Sequence, residues 1–156
     1  MRYGISAGAL VVQGGQLLLV HHQEPGQFDF WVPPGGRLVG EESIFECAQR
    51  EAFKETGLNI SPDRIVYIQE FVEPGYHFCK FFIHCTAQGG QTTVENRNSA
   101  ESFLVEARFF AQDQLKGLIV YPEILKGLFW DDEISGFPMT RYLGLEKIQV
   151  QSPVQI

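Results

Sequence analysis

Apolar residues gather at positions 5–12 and again at 16–22, with Gly14-Gly15 between them. This predicts a two-stranded hairpin whose second strand is Leu17-Leu18-Leu19-Val20. Beyond Ser43 the period changes. At roughly 100° per residue, Ile44, Cys47, Ala48, Glu51, Ala52 and Glu55 share one arc of a helix. Ser43 and Glu46 have the form of a capping box at its start, and Gly57 is placed to close it in a left-handed conformation. Period-two alternation returns at 64–72 and 77–87, which predicts two further strands. In the second, Cys79, Phe81, Ile83 and Cys85 share one face, and Lys80, Phe82 and His84 the other. Ser61-Pro62-Asp63 and Glu73-Pro74-Gly75 read as turns, while 23–30 and 92–103 have the composition of loops. Residues 106–110 predict a last strand, Asp113-Gln114-Leu115 a short turn, and Pro122 opens a helix to about Trp130. The order of elements is that of an α+β domain.

The anomaly lies on the first helix. Glu51 and Glu55 stand one turn apart within an otherwise apolar stripe, where two carboxylates repel each other and resist desolvation. Either that helix edge stays wet, or a divalent cation with a taste for hard oxygen ligands, Mg²⁺ or Mn²⁺, offsets the repulsion. Upstream, Pro33-Pro34 stiffens the chain and Gly35-Gly36 lets backbone approach a ligand.

The stretch from Gly36 to Leu58 resembles the Nudix box, Gly-x5-Glu-x7-Arg-Glu-U-x-Glu-Glu-x-Gly-U, with U aliphatic. Gly36, Glu42, Arg50, Glu51, Ala52, Glu55, Gly57 and Leu58 occupy its specified positions, and Trp31-Val32-Pro33-Pro34-Gly35-Gly36 resembles the family's lead-in. Lys54 stands where the first Glu of the box's pair belongs. The resemblance implies an α/β/α sandwich around a mixed sheet and hydrolysis of a diphosphate linkage in a nucleoside diphosphate joined to another moiety. It also implies a metal held by Glu51, Glu55 and the Gly36 carbonyl, with Arg50 positioning a helix carboxylate and Glu42 orienting Arg50. The family often adds a distal carboxylate as base; Glu101 is the first candidate, ahead of Glu106 and Glu95. The substrate could equally be a nucleotide sugar such as ADP-ribose, a nucleoside triphosphate or a dinucleotide. A nucleotide-binding module with weak turnover is the alternative, because Lys54 can pair with Glu51 at i+3 and compete with a cation.

Contacts to substrate are thinner in the sequence. Arg37 could touch phosphate or serve a surface ion pair, and His22 closes a strand that in the family carries basic residues near the substrate. Phe28 or Phe30 could stack on a base, whereas Trp31 suits the core. Asp131-Asp132-Glu133 reads as an exposed helix end followed by a solvated loop.

Composition narrows the picture. The 156 residues suit one domain with its own core, positions 135–156 forming a C-terminal extension that either packs back or exchanges across a homodimer. A formal net charge of −7 with no basic run argues against nucleic acid, and no apolar run approaches a membrane span. The amino terminus lacks a signal peptide's apolar core, and Cys47, Cys79 and Cys85 show no C-x-x-C spacing. Structural disulfides and zinc are therefore not expected, and a reducing cytoplasm is.

Overall fold

The strand β1 (Arg2–Gln13) is the element that the others share. The computed structural model describes residues 1–149. Within them β1 pairs in parallel with β6 (Tyr76–Gly89) along one edge and antiparallel with the short β4 (Gly35–Arg37) along the other. At its end, β1 turns through Gly14-Gly15 into β2 (Gln16–Glu24), as the glycine pair predicted. β2 is flanked by β3 (Phe28–Val32) and β7 (Leu104–Phe110), both antiparallel. β5 (Asn59–Glu73) pairs antiparallel with β6, and β8 (Arg141–Lys147) adds to β5 in parallel. The sheet is thus mixed, in the order β3-β2-β1-β6-β5-β8, with β4 on β1 and β7 on β2.

Two apolar layers cover it. The helix α1 (Ile44–Thr56) buries Cys47, Ala48 and Ala52 against Ala7, Ala9, Val11, Ile83 and Cys85. Small side chains on β1 let that helix lie close. The alternate residue Leu10 packs with Tyr67, Phe82, Phe129, Trp130 and Phe137 in a second cluster. α2 (Leu128–Ile134) supplies part of that cluster, so the sandwich expected from the resemblance is present.

Several local expectations need correction. Phe28–Val32 is a strand, not the end of a loop, because Phe28 and Phe30 have β2 backbone to pair with. Ser61-Pro62-Asp63 does not turn the chain; β5 runs through it, and the register shifts there absorb the proline. The helix expected from Pro122 to Trp130 is broken at Gly127 into a 3-10 turn (Glu123–Lys126) and α2. Asp132 is not a solvated helix end but 4% exposed. It accepts from Tyr67 Oη at 2.7 Å and from the Arg141 guanidinium at 2.8 Å on both oxygens, tying α2 to β5 and β8. The extension is in part a strand, β8; its last residues, 150–156, lie outside the described residues. Cys85 is buried as expected, but Cys79 is only half so, and the opposite face of β6 buries Lys80 as well as Phe82.

Candidate active site

Caps fix where α1 presents its carboxylates. Ser43 Oγ accepts from the Glu46 N–H at 3.1 Å and Glu46 returns the bond to the Ser43 N–H at 3.1 Å. At the other end Gly57, at φ 76°, donates its N–H to the Phe53 carbonyl. A β-carbon there would lie 2.5 Å from Thr93 Cγ2, so both dihedral and space require glycine.

Between the caps, Glu51 is 5% and Glu55 4% exposed, so this helix edge is buried and not a solvated one. Glu55 accepts from the Gly35 N–H at 2.8 Å. Burial raises the Glu55 carboxyl to about 8, and the neighbouring charge of Glu51 adds to the rise. Gly36 makes room for Glu51, since a β-carbon on it would sit 2.9 Å from the Glu51 carboxylate carbon. β4 is thereby pressed on the helix face, with both carboxylates against its backbone.

Arg50 organises the outer side. Its Nε and Nη2 form a fork on Glu42 at 2.9 and 2.7 Å, while Nη1 donates to Glu51 Oε1 at 2.7 Å. Nη2 also reaches the Arg37 carbonyl at 3.2 Å. The hydrogen bonds from Arg50 hold the Glu42 carboxyl down at about 2. Lys54 is the second cation: its Nζ lies 3.0 Å from Glu51 Oε2 and 3.4 Å from Glu101 Oε1.

These groups border a cavity of about 470 Å³ lined by His22, Gly35, Gly36, Arg37, Glu51, Glu55 and Glu101 among others. The fold therefore brings together the residues that the box placed 15 positions apart with Glu101, some 46 residues downstream of Glu55. Arg37 borders the cavity, but its guanidinium is stacked 4.3 Å from the Tyr76 ring centroid and lies 3.9 Å from Glu73. His22 is 3% exposed, packed on Phe30 and Phe103, with no hydrogen-bond partner for Nδ1 among the described residues. Burial, followed by the charge of Lys80, depresses its pKa to about 3, so it is a neutral imidazole. Glu106 is turned to Arg108 at 2.8 Å and Glu95 is exposed, so of the three distal candidates only Glu101 meets the helix. Phe28 lies elsewhere, in a neighbouring cavity of about 650 Å³ with Phe30, Phe71, Phe82 and Tyr121. Lys80 and Gln69, which strand alternation alone does not single out, line that second cavity.

Whether these residues suit a divalent ion can be judged from their donors. Glu51 and Glu55 are hard oxygen donors, buried, mutually repelling, and faced by the backbone of Gly35 and Gly36. Among the described residues no three His, Cys, Asp or Glu side chains converge. These donors suit a hard divalent ion.

Comparison with known proteins shows the family. The family model described as NUDIX domain matches residues 2–128. The zebrafish m7GpppN-mRNA hydrolase NUDT17 is 37% identical over 67 residues, covering 40% of this chain and 22% of that protein. Phosphatase NudJ of Escherichia coli K12 is 27% identical over 70 residues, 45% of each chain. The chain thus spans less than half the length of these curated relatives. Among solved structures, a NUDIX hydrolase from Nitrosomonas europaea superposes with a TM-score of 0.74 at 14% identity, covering 95% of this chain and 81% of that one. An ADP-ribose pyrophosphatase from Streptococcus suis gives 0.64 at 22% identity, covering 92% and 98%. With its family model matched over most of its length and its box carboxylates buried against the glycine pair, the chain belongs to the Nudix family.

Proposed function

We propose that the chain is a metal-dependent hydrolase of the diphosphate linkage in a nucleoside diphosphate joined to another moiety, such as a nucleotide sugar of the ADP-ribose kind or a nucleoside triphosphate. One observation carries the reading: Glu51 and Glu55 are buried side by side and border a cavity, which sets two hard oxygen donors where a divalent cation could meet a ligand. Mg²⁺ or Mn²⁺ would be held by Glu51, Glu55 and the Gly36 carbonyl. A bound ion of this type neutralises charge on diphosphate oxygens and acidifies an attacking water.

The chain's own groups do the rest. The Gly35 N–H fixes one oxygen of Glu55, which itself borders the cavity. Glu42 holds Arg50 in a fork, and Arg50 in turn fixes the Glu51 carboxylate. Glu101, at the cavity wall, is the group to take the water's proton, provided Lys54 releases it. The aromatic cavity beside the site suits the base of a small nucleotide. Three free cysteines fit a reducing compartment such as the cytoplasm.

A binding module with little turnover is the second reading, and Lys54 favours it, since its ammonium already neutralises Glu51. Phosphate or nucleotide release from a panel of sugar diphosphates, dinucleotides and nucleoside triphosphates, with and without Mg²⁺ or Mn²⁺, separates the two. Metal-stimulated release is the expected result. Tight binding with no such release across the panel would sink the hydrolase reading.

A further inference from the structure

Lys80 is a buried charge that the carboxylate site does not use. It stands on β6 opposite Ser6 of β1 and Gln69 of β5, and is 2% exposed. Among the described residues its Nζ makes no hydrogen bond and no ion pair; the Phe82 ring lies 5.4 Å away at its centroid. Gly8 leaves space for the stem, because a β-carbon there would sit 3.1 Å from Lys80 Cε. An ammonium nearly withdrawn from water, with no protein partner, is costly. Burial accordingly lowers its pKa to about 8, although Glu55 and Glu51 pull it back up.

What Lys80 borders explains why such a cost could be kept. It lines the aromatic cavity of about 650 Å³, and so does its cross-strand partner Gln69, whose Oε1 is buried with no partner among the described residues. Two polar groups, each more than nine-tenths buried, therefore open onto walls of Phe28, Phe30, Phe71 and Tyr121. The cavity is not isolated. Pro33 lines it while Gly35 lines the carboxylate cavity, and the charge of Lys80 is felt by His22 on that side. Lys80 thus stands between the place for a flat ring and the place for the metal.

We infer that Lys80 anchors the substrate phosphate nearest the aromatic group, with the ring between the cavity's aromatic walls and the scissile linkage toward Glu51 and Glu55. This rests on the hydrolase reading for the direction of the chain of phosphates. A neutral ligand would leave the ammonium unpaired, whereas a phosphate oxygen supplies the charge-assisted bond that the protein withholds. Gln69 Oε1 takes an N–H from the ring's edge. A lysine suits this place because it meets an anion as a point charge on a flexible stem.

The test is calorimetric binding without metal, using AMP and GMP against adenosine and guanosine, on the wild type and on Lys80→Met and Lys80→Arg. The wild type should bind each monophosphate about tenfold or more tighter than its nucleoside. Lys80→Met should bring that ratio near one while leaving nucleoside affinity within about twofold, and Lys80→Arg should keep part of the preference. Lys80→Met should also melt higher than the wild type, which excludes misfolding as the cause of lost binding. A wild type that does not prefer the monophosphate, or a Lys80→Met protein that keeps the preference, overturns the anchor. Metal-stimulated turnover with an unchanged KM in Lys80→Met would remove the anchor alone. A phosphate preference that depends on Lys80, without turnover of any diphosphate, would keep the anchor and remove the hydrolase.

Discussion

Lys54 Nζ lies 3.0 Å from Glu51 Oε2 and 3.4 Å from Glu101 Oε1, bridging a helix carboxylate to one from a loop. Burial works against its charge, but Glu51, Glu101 and Glu55 together outweigh it and raise the Lys54 pKa. A divalent ion must compete with this ammonium for Glu51. Lys54→Gln should tighten Mn²⁺ binding severalfold and Lys54→Glu by about tenfold or more, by the Coulomb energy of a charge a few ångströms away at a partly screened site. Titration of free Mn²⁺ by electron paramagnetic resonance reads this without turnover. Equal affinities in all three proteins would show that the lysine swings clear at no cost.

Glu55→Gln separates chemistry from folding. The amide keeps an oxygen for the Gly35 N–H at 2.8 Å and removes a carboxyl that burial pushes up to about 8. Turnover should fall by roughly 10²-fold or more, the scale of losing a group that stabilises developing charge. The melting temperature above pH 8 should rise, because a buried charge is gone. A variant that retains turnover would move the metal's main ligand elsewhere; one that melts lower would show that Glu55 is structural.

How much of this was legible in the chain depends on how local the signal is. The caps of α1, its apolar face and the Glu51–Glu55 pair are all written within one turn or two, and the Gly57 position demands glycine on both dihedral and steric grounds. The fork of Arg50 on Glu42 spans only eight residues and came with the box. Lys80 was different. Period-two alternation put it on one face of β6, but that both faces of β6 are covered follows from α1 on one side and residues near 110–137 on the other. No local pattern reports that. Asp132 was misread for the same reason, since its partners Tyr67 and Arg141 come from distant strands. Phe28 and Phe30 looked like loop residues because their partners, Glu24 and His22, lie on β2 and no local alternation reports that pairing.

Arg50→Lys tests whether the fork matters beyond its charge. Lysine cannot reproduce the paired bonds from Nε and Nη2 to Glu42 while also holding Glu51 Oε1. Stability should drop by about 1.5–3 kcal/mol, the range for hydrogen bonds to charged groups, and Mn²⁺ affinity should weaken because Glu51 is freed to rotate. Chemical denaturation with and without Mn²⁺ distinguishes the two effects. Wild-type stability in the variant would assign Arg50 to charge balance alone.

His22 should shape the acid limb of stability. Burial holds its pKa at about 3, against an ordinary value of 6.5, so the folded protein keeps a neutral ring where the unfolded chain takes up a proton. Between those values the unfolded state binds more protons, so this contribution is complete above pH 6.5 and is lost as pH falls toward 3. At pH 5 the loss amounts to about 2 kcal/mol, taking about 1.4 kcal/mol per unit of pH. His22→Phe removes the titration while retaining a ring against Phe30 and Phe103, whose centroids lie 5.1 and 5.3 Å from that of His22. Urea unfolding at pH 7 and pH 5 should therefore show the wild type losing about 2 kcal/mol more than the variant. Parallel losses in the two proteins would mean that His22 is reached by solvent, and that its ring is free to contact substrate as a charged group.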